Sequence, residues 1–546
     1  MSHALNGLKQ VAQIASPRTM KSLWRAGTVT PRTPLALTSV LPWLIGRGPS
    51  LGCLVQMNTL AVGDKVAIVD RDGELTWRQL DERSNRVSNL LVEHGLVGGS
   101  VATVLRNGRA FAEVLIGAQK AGVVACPLNT WAKRKELQAT LSNSGARLLV
   151  YDTAHAEQVA ALDTSGLRLL HVGPDDAALA RSEPYEEVLA ARPARRLAPF
   201  TADKGSLAIL IHTSGTTGTP KGARRDTSAA GIGTLANLLA VVPYRRNDII
   251  YCPAPLFHSF GLLTFTLACA LGATLVLPER FDPRRALKDI ERHRATAASF
   301  VPVMIRRIVS LPTNELAGRD LSSLRIVLAS GSALGEDLRR RARAVLGDVL
   351  YDLYGSTEAG WVAIATPEDM ARHPSTVGRP VPGVEVAAFD PSGRRLGPGE
   401  PGELFIASEA LFEGYTSGEE RPRHGRFMSI GDVGRVDADG YVFVEGRADD
   451  MVVVGGENVY PIEVEEVLEA VPGVSEATVV GVPDDEFGQV LVAFVAGNVT
   501  EQELEAACRA ELASYKVPRR FELVDALPRT ATGKVLKREL VSRLSQ

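Results

Sequence analysis

The chain has 546 residues, which is too long for a single hydrophobic core and predicts two or more domains. Lys and Arg total 61 and Asp and Glu total 63, so the charge balance gives no reason to expect nucleic acid as a partner. The five cysteines lie far apart without a CxxC pair, and they are Cys53, Cys126, Cys252, Cys269 and Cys508. We therefore expect packing roles for them in a reducing cytosol, with neither disulfides nor a thiolate metal site.

Residues 1–55 mix Pro, Gly and basic residues with short apolar runs and lack the pattern of a secretory signal peptide. We expect a cytoplasmic protein, in which this extension of unknown role is compatible with a peripheral contact to a membrane surface or to a partner. The stretch 260–278 carries no charge over nearly a membrane-spanning length, but Gly272 divides it. A buried helix followed by a short strand therefore explains it better than a transmembrane helix.

From residue 64 onward, short apolar runs typical of strands alternate with segments of helical spacing. A helix is predicted over 76–94, and strands are predicted at 65–69, 101–105, 148–150, 207–211, 249–251, 274–277 and 326–328. Such alternation predicts an α/β fold in which parallel sheets are covered by helices.

Beyond residue 378 the pattern changes to short alternating segments separated by Pro and Gly turns. The segments 384–389, 402–407 and 440–445 predict a small antiparallel β unit. After residue 447 an α+β pattern begins, with predicted helices at 459–469 and 501–513, strands at 477–481 and 490–496, and a final basic helix. We therefore predict a large domain over 56–447, made of parallel sheets covered by helices plus the small β unit, and a small α+β C-terminal domain over 448–546.

A ten-residue segment of small and hydroxylated residues, Thr213–Gly222, follows the apolar strand predicted at 207–211. Small residues let backbone N–H groups approach a polyanion, hydroxyls add donors, and a Lys supplies positive charge. Since Pro220 and Gly222 flank Lys221, the segment differs from the common Gly-Lys-Ser/Thr loop and predicts a mobile loop that folds over phosphates. The candidate phosphate-binding residues are Thr213, Ser214, Gly215, Thr216, Thr217, Gly218 and Lys221.

This segment resembles the phosphate loop of the adenylate-forming superfamily, which comprises acyl-CoA synthetases, luciferases and the adenylation domains of peptide synthetases. Four further segments resemble motifs of that superfamily in the same order: 354–358 (YGSTE), 431–441 (GD followed by DGY), 446–465 (GR through PIEVE) and 528–534 (PRTATGK). The resemblance covers about residues 60–540 and is nearest to the acyl-CoA synthetase branch. It implies a ligase that makes an acyl-adenylate from ATP and a carboxylic acid, releases pyrophosphate, and transfers the acyl group to coenzyme A.

The resemblance also implies roles for individual residues. Lys534 is implied to catalyse adenylation, and His258 is a second catalytic candidate. Thr213 and Glu358 are implied to hold Mg²⁺, which prefers phosphate oxygens and few carboxylates, and Thr357 is placed near the phosphates. The residues implied to bind adenine and ribose are Gly331, Ser332, Asp352, Tyr354, Gly355, Asp432 and Arg447.

Superfamily members rotate a small, mobile C-terminal domain after the adenylate forms. The hinge residue is matched here by Asp449. After the rotation, a loop matched by Gly455, Gly456 and Glu457 is implied to border the path of the CoA thiol. One site is thereby expected to serve two different reactions.

The segment 256–262 resembles the part of the family that borders the acyl pocket, with His258, Phe260 and Gly261 as candidates and Val303 and Met304 as a further apolar wall. No acidic residue lies between 254 and 278 to pair a substrate ammonium, which disfavours amino acids. We predict a fatty acid, with an aromatic acid as the alternative. A carrier protein is an alternative acceptor, but the absence of an extra insertion before the hinge favours CoA.

Overall fold

The structure, a computed structural model, describes residues 21–22, 24–28, 50–195, 209–213, 221–225, 237–356, 359–408, 421–448, 450–454, 457–484, 487–530 and 534–544. The chain divides into two compact units. Unit 1 comprises Met1–Phe300, Asp320–Val327 and Glu409–Glu420, and unit 2 comprises Val301–Arg319, Leu328–Ser408 and Arg421–Gln546.

Unit 1 alternates strands and helices, as the sequence predicts. Its strands are β1 (Val66–Asp70), β2 (Gly73–Thr76), β3 (Ser100–Val104), β4 (Val124–Pro127), β5 (Leu148–Asp152), β6 (Arg168–Val172), β7 (Glu183–Pro184), β8 (Ile209–Thr213), β9 (Lys221–Arg225), β10 (Ile249–Tyr251), β11 (Thr274–Val276) and β12 (Ala297–Phe300). Its helices are α1 (Leu51–Val62), α2 (Trp77–Glu93), α3 (Arg109–Ala121), α4 (Arg134–Ser144), α5 (Ala156–Ala160), α6 (Tyr185–Ala190), α7 (Ser259–Leu271) and α8 (Pro283–His293).

These strands form sheets that are mostly parallel, which confirms the predicted fold class. One sheet has the order β7-β6-β5-β3-β4-β8-β9, in which only the β8–β9 neighbours are antiparallel among the described strands. The other strands of unit 1 pair in the order β12-β10-β11-β1-β2, with β2 antiparallel to β1. Parallel neighbours require crossover connections, and the intervening helices supply them.

The uncharged stretch 260–278 forms a buried helix and then a strand, as predicted. The helix α7 ends at Gly272, whose φ of 70° is the left-handed conformation that favours glycine at a helix C-cap. The strand β11 follows at once and is buried throughout. Within the described ranges, no helix is both long and apolar enough to cross a membrane.

Unit 2 contains the predicted small β unit and the C-terminal α+β region. Its strands are β13 (Ile326–Ser330, shared in sequence with unit 1), β14 (Leu350–Ser356), β15 (Gly360–Ala365), β16 (Arg379–Pro380), β17 (Val384–Phe389), β18 (Gly402–Ser408), β19 (Arg423–His424), β20 (Phe427–Val436), β21 (Val442–Arg447), β22 (Val452–Val454), β23 (Glu457–Val459), β24 (Val474–Asp484), β25 (Gly488–Gly497) and β26 (Arg520–Leu523). Its helices are α9 (Pro302–Val309), α10 (Thr313–Leu316), α11 (Glu336–Leu346), α12 (Pro367–Arg372), α13 (Pro461–Glu469), α14 (Glu501–Glu511) and α15 (Lys537–Leu544).

The sheets of unit 2 are largely antiparallel. The strands β14, β15 and β16 pair in that order, and the small β unit has the order β17-β18-β20-β19 with β21 paired to β20. The C-terminal sheet has the order β23-β22-β25-β24, and β26 pairs with β25 in parallel. Apolar residues of α13 and α14, including Leu468 and Leu504, pack on this sheet and form its core.

All five cysteines are buried, and none forms a disulfide. Burial raises the pKa of the Cys252 thiol to about 12, so this group stays protonated at neutral pH. The structure therefore supports the predicted packing role for the cysteines.

Candidate functional site

Part of the predicted site lies outside the described residues. These positions are Ser214, Gly215, Thr216, Thr217, Gly218, Thr357, Glu358, Asp449, Gly455 and Gly456. For Thr213 and Lys221 the backbone is described: β8 ends at Thr213, β9 begins at Lys221, and the two residues are paired. The antiparallel pairing thus places Lys221 at the start of a strand, while the phosphate loop itself stays a prediction.

Strand pairing in the small β unit brings two predicted ribose-binding residues together. The register of β20 and β21 places Asp432 opposite Arg447. Arg447 Nη1 donates to Asp432 Oδ1 at 3.2 Å and to the carbonyl oxygen of Ile430 at 3.1 Å. Residues 15 positions apart in sequence therefore form one polar group at the end of a β-hairpin.

The glycine before Asp432 is required by this arrangement. Gly431 has a φ of 80°, which is strained for residues with a side chain. A Cβ at this position would also lie 3.1 Å from Arg447 Nη2. The Gly-Asp pair of the sequence motif is thus explained by the backbone turn and by the close approach of Arg447.

Tyr354 completes this polar group from a different strand. Its hydroxyl, at the end of a side chain on β14, donates to Asp432 Oδ2 at 2.6 Å. We call Tyr354, Asp432 and Arg447 the nucleotide cluster, because the sequence resemblance predicts that they bind the nucleotide. Both carboxylate oxygens of Asp432 already accept one hydrogen bond, and each carboxylate oxygen has a second lone pair with which to accept another.

Opposing influences act on the protonation of the nucleotide cluster. Burial raises the pKa of Asp432, while the hydrogen bond from Tyr354 and the charges of Arg447 and Lys534 lower it, and the pKa stays above its usual value. Burial and the neighbouring Asp432 also raise the pKa of Tyr354 well above its usual value. Tyr354 therefore remains a hydrogen-bond donor at neutral pH.

Lys534 is exposed and belongs to unit 2. Two hydrogen bonds join it to Thr530: the N–H of Thr530 donates to the carbonyl of Lys534 at 2.7 Å, and the N–H of Lys534 donates to Thr530 Oγ1 at 3.1 Å. On either side of it, Leu527 and Leu540 are buried in an apolar cluster of unit 2. The positive charge of Lys534 is one of the influences that lower the pKa of Asp432.

Asp352, a predicted adenine contact, is buried and bound to a residue that the sequence did not reveal. Arg339 Nη2 on α11 donates to Asp352 Oδ2 at 2.7 Å. Burial raises the pKa of Asp352, and the charge of Arg339 lowers it. The pair connects α11 to β14 two residues before Tyr354, so it supports the strand that carries this member of the nucleotide cluster.

Other predicted adenine-side residues lie near β14. Gly331 and Ser332 are exposed and follow the end of β13. Ser330 Oγ donates to the carbonyl of Leu353 at 2.8 Å, which joins the end of β13 to β14. Gly355 directly follows Tyr354 and is exposed.

The acyl-pocket candidates are distributed over both units. In unit 1, His258 is the N-cap residue of α7, and the centroid of its ring lies 4.4 Å from the centroid of the Phe257 ring. Trp131, which is about half exposed, packs edge-on against Phe257 at 5.4 Å. The first turn of α7 holds Phe260 and Gly261, both buried. In unit 2, α9 carries Val303 and Met304, of which Met304 is buried.

Two further expectations concern Mg²⁺ and the CoA-side loop. Among the described residues, no group of three or more His, Cys, Asp or Glu side chains is arranged to hold a metal ion. Glu457 begins β23 and is exposed, opposite Val454 of β22. The roles of these residues stay predictions.

Comparison with known proteins identifies the family. Residues 56–416 match the model of the AMP-binding enzyme, and residues 463–534 match the model of the AMP-binding enzyme C-terminal domain. A fatty acid–[acyl-carrier-protein] ligase, ScoC of Streptomyces coeruleorubidus, is 33% identical over 91% of this chain and 97% of that protein. A feruloyl-CoA synthase of Amycolatopsis sp is 36% identical over 86% of this chain and 94% of that protein.

A solved structure agrees with the fold. The ATP-bound MatB of Rhodopseudomonas palustris is 28% identical, with a TM-score of 0.80 over 91% of this chain and 99% of that chain. The similarity therefore extends over both matched family regions.

Proposed function

The chain belongs to the adenylate-forming superfamily of AMP-binding enzymes, and from this premise we propose that it converts a fatty acid, ATP and coenzyme A into acyl-CoA, AMP and pyrophosphate. The observation that carries the proposal is the nucleotide cluster, in which Tyr354 and Arg447 hold the buried carboxyl group of Asp432. A buried carboxylate with spare acceptor sites suits a pair of ribose hydroxyls, and a cation beside it suits phosphate chemistry.

In the proposed first reaction, a carboxylate oxygen of the acid attacks the α-phosphorus of ATP, and the bond to the β-phosphate breaks to release pyrophosphate. The two reactants repel because both are anionic. Asp432 accepts hydrogen bonds from the ribose hydroxyls, and Tyr354 and Arg447 hold that carboxylate in place. Lys534 then stabilises the negative charge that develops between the carboxylate and the phosphate.

In the proposed second reaction, the thiol sulfur of CoA attacks the acyl carbon of the adenylate, and AMP leaves. The proposal places this step after a rotation of the C-terminal domain at Asp449, which removes Lys534 and brings the loop containing Glu457 to the thiol. His258 is proposed to contact the acyl carboxylate.

We propose Mg²⁺ as a cofactor because the sequence resembles the adenylate-forming superfamily. Of its proposed ligands, Glu358 lies outside the described residues, and only the backbone of Thr213 is described. Magnesium bound to phosphate oxygens would supply charge neutralisation. The steps above are assigned to the residues of the chain.

The composition of α7 supports an apolar acid. No acidic residue lies between 254 and 278, and the first turn of the helix carries Phe260 and Gly261. A substrate ammonium would lack a charged partner there. Two alternatives have support among the relatives: ScoC is named for a carrier-protein acceptor, and the feruloyl-CoA synthase for an aromatic acid.

The test is to incubate the purified protein with Mg-ATP and a panel of acids, from short to long and from aliphatic to aromatic, with and without CoA. Release of AMP and pyrophosphate is followed by chromatography. The proposal expects CoA-dependent AMP release with fatty acids. A preference for aromatic acids would show that the substrate is an aromatic acid and not a fatty acid. An adenylate that persists with CoA but reacts with a phosphopantetheine-bearing carrier protein would show that the acceptor is the carrier protein and not CoA.

A further inference from the structure

One ion pair in unit 2 joins helix α9 to the C-terminal α+β region. Arg306 Nη2 on α9 lies 2.7 Å from Glu469 Oε1, at the end of α13. Arg306 Nη1 also donates to the carbonyl of Ser475, the second residue of β24, at 3.1 Å. One guanidinium thus holds two points of the C-terminal region that are six residues apart.

The contact is largely shielded from water. The side chains of Arg306 and Glu469 are 17% and 15% exposed. Burial raises the pKa of Glu469, and Arg306 lowers it by charge and hydrogen bonding. Removing the arginine would leave a poorly solvated carboxylate without its main partner, so the contact would be lost rather than merely weakened.

Ser475, which Arg306 binds, is followed by a residue that contacts the segment just before Lys534. Glu476 follows Ser475 on β24, and its Oε1 accepts from the N–H of Leu527 at 2.8 Å. Its Oε2 accepts from Arg529 Nε at 3.2 Å. Leu527 and Arg529 lie just before Thr530, which is hydrogen-bonded to Lys534.

A continuous set of contacts therefore runs from α9 to the exposed lysine. Arg306 binds the start of β24, the next residue of that strand binds Leu527 and Arg529, and Thr530 is hydrogen-bonded to Lys534. All of these residues belong to unit 2. Reactions that depend on a positioned charge lose rate steeply when that charge is displaced by about 1 Å.

We propose that Arg306 is a positioning residue for the adenylation reaction, which holds the C-terminal region in the arrangement where Lys534 reaches the nucleotide cluster. The inference rests on the proposed function for the reaction it names, but the contact itself does not. Because the arrangement that suits thioester formation places Lys534 elsewhere, the ion pair should matter for the first half-reaction and not for the second.

The experiment compares Arg306→Met with Arg307→Met. Arg307 is the next residue of α9, is exposed, and loses the same charge in the control. Adenylation is measured by pyrophosphate exchange with an acid that the unmodified enzyme accepts, and thioester formation is measured from supplied acyl-adenylate and CoA. For Arg306→Met we expect adenylation kcat to fall by about tenfold to 100-fold with the KM for ATP changed less than about threefold.

Thioester formation by Arg306→Met should stay within about twofold of the unmodified enzyme, and both activities of Arg307→Met should stay unchanged. Arg306→Lys, which retains the charge, should recover part of the adenylation rate. An equal loss in both half-reactions would assign Arg306 a general structural role and overturn the proposal, as would full adenylation activity without the arginine.

A measurement that needs no activity separates this inference from the proposed function. Amide hydrogen exchange of the segments 474–484 and 527–530 should be faster in Arg306→Met than in Arg307→Met. If the unmodified protein activates no acid, the function proposal fails while the exchange data still test the contact. Equal exchange in the two variants would overturn the positioning role.

Discussion

Two opposing effects act on the ionised form of the Asp432 carboxyl group: burial destabilises it, and three neighbours stabilise it. Burial favours its neutral form, while Tyr354, Arg447 and Lys534 favour its ionised form. Only the ionised form leaves both oxygens free to accept hydrogen bonds from hydroxyl donors. The protonation of this residue should therefore control how the site binds a ribose.

Replacing Tyr354 with Phe should raise the pKa of Asp432, because it removes one of the groups that lower it. The loss of activity at acid pH in a plot of kcat/KM for ATP against pH should then begin at a higher pH than in the unmodified enzyme. The KM for ATP should also rise by about tenfold, as expected for the loss of a hydrogen bond to a charged group. Tyr515→Phe is the control, since Tyr515 is exposed at 37%. An unchanged pH profile would argue against a role for Asp432 in binding ATP.

Lys534→Ala should lower the adenylation rate by at least about 100-fold, because the variant lacks the positive charge near the reacting phosphate. Formation of thioester from supplied acyl-adenylate should change by less than about threefold. Pyrophosphate exchange and CoA-dependent AMP release measure the two steps separately. Arg538→Ala, which removes another exposed cation four residues away, should leave both rates unchanged. Equal loss of both steps in Lys534→Ala would refute the assigned role.

Sequence motifs indicated the residues of the nucleotide cluster but not the residues that hold them. Asp432 and Arg447 could be named because each stands in a recognisable segment, and strand register then brings them together. Arg339, which binds Asp352, and Arg306 stand in ordinary amphipathic helices. An arginine on such a helix is usually solvated, so its partner becomes visible only when the helices are packed.

Helix α13 carries a carboxyl group against the start of α11. The Cγ of Glu466 lies 4.0 Å from the position that a Cβ would occupy at Gly335. Burial, and after it the charge of Glu336, raises the pKa of Glu466 to about 7, with smaller increases from Glu469 and Glu465 on its own helix and an opposing decrease from Arg339. Ionisation of Glu466 should therefore weaken the contact between these helices.

The sign of this effect can be tested with Glu466→Gln. The carboxyl is neutral below its ordinary pKa of 4.5 in both folded and unfolded chains, and the contact is strongest there. As the pH rises from about 5 to about 8, the folded protein loses stability, because the unfolded chain ionises more readily. Amide exchange of segment 461–469, corrected for the intrinsic rate, should therefore accelerate over this range in the unmodified protein. The acceleration should be smaller in Glu466→Gln, where the carboxyl of Glu469, whose pKa burial also raises, still titrates on the same helix. Glu511→Gln, an exposed control on α14, should behave like the unmodified protein. Identical pH dependence in the Glu466 variant would contradict the prediction.

Elements with strong local signals were predicted to within a few residues. The helix expected at 76–94 is α2, whose start is fixed by a capping box between Thr76 and Gln79. The helix expected at 459–469 begins at Pro461, because proline is favoured in the first turn and lacks the N–H to continue a helix before it. The hairpin of β14 and β15 was not predicted, since its residues carry a binding motif with Gly and Ser in place of an apolar alternation.

For the whole molecule, the two-reaction proposal requires the C-terminal region to adopt a second arrangement. The chain around Asp449 has backbone bonds on both sides: the N–H of Ala448 donates to the carbonyl of Gly431 at 2.9 Å, and that of Asp450 to the carbonyl of Arg447 at 3.1 Å. A large rotation of the following region is therefore expected to use the backbone angles of very few residues. The sequence predicts the hinge at this position through the motif that surrounds it.

Asp449→Pro should separate the two half-reactions, since the proline ring fixes φ near −65° and prevents the rotation. Adenylation, measured by pyrophosphate exchange, should stay within about threefold of the unmodified enzyme, while CoA-dependent release of AMP should fall by at least about 100-fold. Asp449→Ala removes the same carboxylate and keeps φ free, so it should retain most of both activities. If Ala and Pro impair thioester formation equally, the carboxylate matters and the hinge does not. If Asp449→Pro turns over acyl-CoA at the unmodified rate, the C-terminal region does not need to rotate at this residue, and one arrangement must serve both reactions.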